Sequence, residues 1–267
     1  DALLLTALLP EPQAAPERVA RRACAISGGQ DCARFPALAA SMLGPARSLA
    51  LDPGLAPHLS NRLLTKPGLR ITTTLDAGVQ RVAIRALKRQ LSGLGPTRAR
   101  DGAVVVLDNR TGDVLAYVGG IGGASTAPAV DGAGAYRQAG STLKPFLYAQ
   151  AIERGYLTPA SILDDSPVQL DTASGLYVPQ NYDRAFKGPV SARIALAGSL
   201  NVPAVRTLLL VGPEAFRDRL WDTGYKGMTE DGQYYGFSLA LGSAEVTLLE
   251  QAAAYRSLAL GGRWTPP

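Results

Sequence analysis

Ser141 and Lys144 lie three residues apart in this 267-residue chain, at the predicted start of a helix that runs to about Arg154. That spacing puts both side chains on one helical face. A serine oxygen is a poor nucleophile until a neighbouring base takes its proton, and a lysine can do so when burial or nearby cations keep its amine neutral. The helix N-terminus also favours negative charge developing beside it. A second polar group, Ser199-Leu200-Asn201, precedes another predicted helix. Fifteen serines and five lysines produce about 0.3 Ser-x-x-Lys matches by chance in this length, so the motif alone does not decide between a nucleophile and an accident. Ser199 reads equally as a helix N-cap.

Other chemistries lack their residues. The chain has no Gly-x-x-x-x-Gly-Lys-Ser/Thr phosphate loop and no Gly-x-Ser-x-Gly elbow, and Ser125 stands where Gly-x-Gly-x-x-Gly needs its last glycine. The single histidine, His58, falls in a proline-broken segment and reads as a packing or capping residue. Two cysteines and one histidine cannot complete a four-ligand zinc site. In an exported protein, Cys24 and Cys32 could form a small-loop disulfide.

The elements that must position Ser141 follow from patterning. Residues 1–67 read as short helices at 2–9, 17–26 and Phe35–Leu43, punctuated by prolines. Residues 69–75 read as a strand, and Asp76 caps a helix to about residue 91. Residues 103–107 and 114–118 form a hairpin around Asp108-Asn109-Arg110-Thr111-Gly112-Asp113. A glycine- and alanine-rich stretch, 119–134, leads to the Ser141 helix, with Gly155 as its stop. Residues 156–190 read as loop-rich, followed by helices at Ala192–Ala197, 202–210, 213–221 and 244–260.

The net charge of +5 is uneven: residues 1–100 hold 14 Lys/Arg against 6 Asp/Glu, and the remainder 13 against 16. A uniformly basic nucleic-acid binder is excluded. The basic end suits an anionic membrane or wall polymer, or simply a solvated face.

The segments "YRQAGSTLKPFLYAQAIERG" (136–155), "YVPQNYDRAFKGPVSARIALAGSLNVPAV" (177–205) and "LGSAEVTLLEQAAAYRSLALGGRW" (241–264) closely resemble the transpeptidase domain of class A penicillin-binding proteins. "RITTTLDAGVQRVA" (70–83) and "GAVVVLDNRTGDVLAYVGG" (102–120) fit the same domain, and "LLTALLPEPQ" (4–13) resembles the tail of the family's upstream glycosyltransferase domain. The resemblance implies an α+β serine transpeptidase-like fold, an antiparallel sheet flanked by helices, incomplete at the C-terminus and preceded by a helical linker. The implied boundaries are 1–67 for the glycosyltransferase end and linker, and 68–267 for the front of the transpeptidase domain.

Position by position, the resemblance makes Ser141 the nucleophile, Lys144 its general base, Ser199 a proton relay toward the leaving amine, and Asn201 a holder of Lys144 and of the substrate amide. Asn181 and Tyr182 would line the substrate cleft, bracing the site rather than reacting. Implied partners are D-Ala-D-Ala stem peptides, an amine acceptor and β-lactams, with no metal or organic cofactor and no nucleic acid. The implied setting is the periplasmic face of the bacterial inner membrane, anchored by a helix upstream of this sequence.

The third family motif, Lys-Thr/Ser-Gly, is absent: the five lysines are followed by Pro67, Arg89, Pro145, Gly188 and Gly227. In the family that motif's strand walls the cleft and supplies an oxyanion-hole N–H, and losing one such donor costs about 100- to 1000-fold in rate. The chain therefore reads as a piece truncated at both ends and inactive alone. Two other readings stay open: a non-catalytic module that binds peptidoglycan or a partner, and a serine β-lactamase relative that releases its acyl group to water.

Overall fold

The computed structural model describes residues 7, 15–30, 32–43, 54–94, 99–172 and 175–267, which form two compact units, Asp1–Gly54 and Leu55–Pro267. In the first, α1 (Pro16–Ile26) starts with proline, whose missing N–H costs nothing in an opening turn. Its Val19, Ala20 and Ala23 bury against Phe35 and Ala39 of α2 (Phe35–Leu43). A Cys24–Cys32 disulfide ties the end of α1 to the connection before α2. The predicted helix at 2–9 lies outside the described residues, apart from Ala7.

The second unit opens with α3 (Pro57–Leu63), where His58 is buried and its Nε2 lies 2.9 Å from the Pro128 carbonyl oxygen, a packing role. Helix α4 (Ala77–Leu94) is capped as expected, Asp76 Oδ1 accepting the Val79 N–H at 2.8 Å. The hairpin forms as β1 (Val104–Leu107) and β2 (Val114–Val118), antiparallel with Val105 opposite Tyr117. Asp108 Oδ1 accepts the N–H groups of Arg110 and Thr111, which shapes the turn. Ala83 of α4 packs on Ala116 and Val118.

The strand expected at 69–75 does not form. Its residues are almost all exposed and irregular, because the outer edge of β2 is already occupied. Leu115 O accepts the Asp76 N–H at 3.0 Å. The buried Gln80 side chain takes both backbone groups of Tyr117, accepting its N–H at 2.7 Å and donating to its carbonyl at 2.9 Å. No ladder remains for another strand on that edge.

The main core surrounds α5 (Lys144–Glu153), which is apolar on most sides and runs through the interior. Leu147 and Phe146 meet Leu208 of α7 (Asn201–Val211), Phe216 and Leu220 of α8 (Pro213–Asp222), and Tyr225 within one buried cluster. Gly155, at φ 72°, ends the helix as predicted.

The region read as loop-rich, 156–190, also carries four short strands, the last ending at Ser191. β4 (Ile162–Asp165) pairs with β7 (Gly188–Ser191), and β5 (Leu170–Thr172) with β6 (Gly175–Tyr177). Helix α6 (Ala192–Ala197) follows β7 directly. After α8 come the short α9 (Gly232–Tyr235), a 3-10 turn Gly236–Leu241, and α10 (Leu248–Ala259). The last helix starts four residues later than the pattern suggested. Thr247 and Glu250 close a reciprocal capping box there, and Glu245–Val246 form β8, paired with β3 (Arg137–Gln138). Among the described residues the four strand pairs are all antiparallel, giving an α+β fold.

Candidate active site

Ser141 sits in a 3-10 turn, Gly140–Leu143, that feeds into α5; its side chain is exposed. The β3–β8 pair holds the turn from behind, for the chain continues in the same pairing: Ala139 N–H donates to Ala244 O at 3.1 Å and Gly140 N–H to Gly242 O at 3.0 Å. Gly242 has φ 75°, and a Cβ there would overlap the Gly140 backbone, so only glycine allows this approach.

Lys144 is the first residue of α5 and is 1 % exposed. Pro145 follows without penalty, because the first helical turn has spare N–H positions. The Lys144 Nζ donates to the Ser199 carbonyl at 2.7 Å and to Asn201 Oδ1 at 2.7 Å, with Ser199 Oγ at 3.3 Å. Burial lowers its pKa from 10.5 to about 8. At neutral pH roughly a tenth of the amine is then unprotonated, several hundred times the fraction in an ordinary lysine.

Ser199 lies between α6 and α7 at φ 52°, one of two non-glycine residues with positive φ among those described. Such a conformation costs on the order of 1–3 kcal/mol and persists where neighbours enforce it. Here it turns both the carbonyl and the hydroxyl of Ser199 toward Lys144.

Asn201 opens α7, and its Nδ2 donates to Gln180 O at 2.8 Å, which leaves Oδ1 for Lys144. Ser199 does not cap this helix. Asn181, buried at 4 % exposure, does so from a distant loop, its Oδ1 accepting the N–H groups of Asn201 at 2.8 Å and Val202 at 3.4 Å. Tyr182, in contrast, is fully exposed.

The structure thus sets Ser199 and Asn201 around the buried Lys144 amine, with Asn181 behind Asn201; among the described residues no side-chain hydrogen bond joins Ser141 to Lys144. Sequence reasoning missed two supports. Gly242 lay in the family-like segment 241–264 but was given no role, and Asp165, whose carboxylate receives the Asn181 amide, sat in a stretch read as loop-rich. Among the described residues no group of His, Cys, Asp or Glu could hold a metal ion, and no helix is long and apolar enough to cross a membrane.

Residues 102–267 match the family model described as the penicillin binding protein transpeptidase domain. Penicillin-binding protein 1C of Escherichia coli is 38% identical over 214 residues, covering 79% of this chain and 27% of that protein. Penicillin-binding protein 1F of Bacillus subtilis is 32% identical over 212 residues, covering 78% of this chain and 28% of its own length. Among solved structures, PonA1 of Mycobacterium tuberculosis in complex with penicillin V superposes with a TM-score of 0.63 at 29% identity, over 82% of this chain and 60% of that one. The chain spans roughly a quarter of the length of these curated relatives.

Proposed function

Because the chain belongs to the penicillin-binding protein transpeptidase domain family, we propose that Ser141 is the acyl-accepting nucleophile of a peptidoglycan D,D-transpeptidase. The observation that carries this reading is the buried Lys144 amine, held by Ser199 and Asn201 one helical turn from the serine. Neutral Lys144 takes the Ser141 proton as Oγ attacks the carbonyl of the penultimate D-Ala in a stem peptide. The tetrahedral adduct collapses, the C–N bond breaks, and Ser199 passes a proton to the departing D-Ala amine. An amine of a second stem peptide then attacks the acyl-serine; the ester breaks, the new amide forms, and Ser141 regains its proton. A β-lactam presents the same kind of amide in a strained ring, and its acyl group stays on the serine.

In this reading Asn201 orients both Lys144 and the substrate amide. Asn181 holds Asn201, and exposed Tyr182 is free to touch the peptide. Residues 1–67 are the end of a glycosyltransferase domain and a linker, and 68–267 the front of the transpeptidase domain, in a bifunctional wall synthase anchored elsewhere in the membrane. The Cys24–Cys32 disulfide fits the oxidising periplasm. This sequence has no Lys-Thr/Ser-Gly motif, which in the family walls the cleft, and we infer that residues 1–267 do not acylate without it.

The test is covalent labelling with a fluorescent penicillin. A stable label on a longer form that carries the motif, lost in Ser141→Ala, supports transpeptidase chemistry. Rapid loss of the label to water moves the site toward a β-lactamase, and no label on folded protein moves it toward a binding module.

A further inference from the structure

Asp165 is a buried carboxylate that the acyl-transfer chemistry does not use. It closes β4 at 0 % exposure, with both oxygens 2.9 Å from Asn181 Nδ2 and Oδ2 also accepting the Lys187 N–H at 2.9 Å. Burying a carboxylate is costly unless its lone pairs find donors, so its presence calls for a reason.

The reason lies in the geometry of the amide it faces. A side-chain amide fills the same space in two orientations half a turn apart, with oxygen and nitrogen exchanged. A carboxylate only accepts and a backbone N–H only donates, so at Asn181 one orientation satisfies both neighbours. Nδ2 must face Asp165 and the Ala185 carbonyl, 2.9 Å away, and Oδ1 must then face the Asn201 and Val202 N–H groups. Those groups belong to the opening turn of α7, whose own N-cap residue, Leu200, offers no side-chain acceptor. Asn201 in turn presents Oδ1 to Lys144 at 2.7 Å.

We propose that Asp165 is a positioning residue: by locking the Asn181 amide in one orientation it fixes the first turn of α7, and with it the contact between Asn201 and Lys144. Its catalytic meaning rests on Lys144 being the base, but the positioning itself can be read without any catalysis.

The experiment is hydrogen exchange and Lys144 titration by NMR on this chain, wild type and Asp165→Asn. An asparagine at 165 keeps one oxygen that can accept from Asn181 Nδ2 but puts its own amide nitrogen, a donor, in place of the other, so one of the paired bonds is lost. Asn201 and Val202 amides should then exchange about tenfold faster, the equivalent of one hydrogen bond, while the rest of α7 is unchanged. The Lys144 midpoint should fall below its wild-type value as the ammonium loses an acceptor. The exchanged pair Asp165→Asn with Asn181→Asp keeps an acceptor facing Asn201 but sets a carboxylate oxygen against the Ala185 carbonyl, and should restore protection in part.

Unchanged Asn201 protection and an unchanged Lys144 midpoint in folded Asp165→Asn would overturn the proposal. So would faster exchange throughout α7, which marks a merely structural role. A reading independent of any variant is the wild-type Asn181 side-chain amide, which must exchange at least tenfold more slowly than a free asparagine amide; equal rates overturn the proposal. Failure of Ser141 to take penicillin would sink the functional reading and leave these amide measurements standing.

Discussion

Lys144 Nζ and Asn201 Oδ1 lie 2.7 Å apart although 57 positions separate them in the chain, and each is the first residue of its helix. The contact joins the helix that follows the Ser141 turn to the helix that Asn181 caps. It also fills a donor position of an amine that is almost entirely withdrawn from water. Burial alone would leave the lysine mobile and costly, and hydrogen bonding alone would leave it protonated. Together they give an amine held in one place with its proton affinity reduced.

The first consequence is a pH dependence of chemistry. Penicillin acylation of Ser141, measured in the form of the protein that carries the Lys-Thr/Ser-Gly segment, should rise with pH around a midpoint of about 8 and level off above it, following deprotonation of Lys144. Lys144→Arg keeps a cation that cannot deprotonate, and should lower the rate by about 100- to 10,000-fold. A wild-type midpoint near the ordinary lysine value would show that burial does not prepare the base.

The same shift acts on stability. The folded state holds Lys144 at about 8 against 10.5 when unfolded, so between those values the unfolded chain binds more protons. Stability therefore rises with pH across that window, and the relative penalty is greatest below it. Between pH 7 and pH 9.5 the wild type should gain about 2 kcal/mol relative to Lys144→Met. Urea denaturation of both proteins at the two pH values measures this, and parallel behaviour would contradict it.

Gly242 gives a packing prediction. An alanine there must adopt a left-handed conformation and push on the Gly140 backbone, so Gly242→Ala should cost about 3 kcal/mol or more and displace the Ser141 turn. Gly261→Ala also has positive φ, at 66°, but nothing lies within 4 Å of its new methyl. It should cost only about 1 kcal/mol. Chemical denaturation of the two variants compares clash plus strain with strain alone.

How much of this was legible depended on distance along the chain. The Asp76 cap and the hairpin turn at Asp108 are local, and their residues announce them. The region 156–190 was read as loop-rich because β4 and β7 are short and separated in sequence, so neither looks like a strand until the other is beside it. The strand expected at 69–75 had the right residues, but a side chain from the next helix, Gln80, occupies the edge it would need. Asp165 and Gly242 act through neighbours that only folding brings near. Tyr182 shared a motif with Asn181, yet adjacent residues in an irregular segment face opposite ways, one buried and one in solvent.

The central claim, that Ser141 is a nucleophile activated by Lys144, is tested most directly by intact-mass spectrometry after incubation with penicillin. The proteins to compare are the longer form with the Lys-Thr/Ser-Gly segment, its Ser141→Ala variant, and the present chain. The expected result is a stable adduct of one penicillin on the longer form, absent in Ser141→Ala and absent on the short chain. An adduct on the short chain would show that the third motif is dispensable for acylation. A longer form that is folded and yet takes no penicillin would contradict the claim itself.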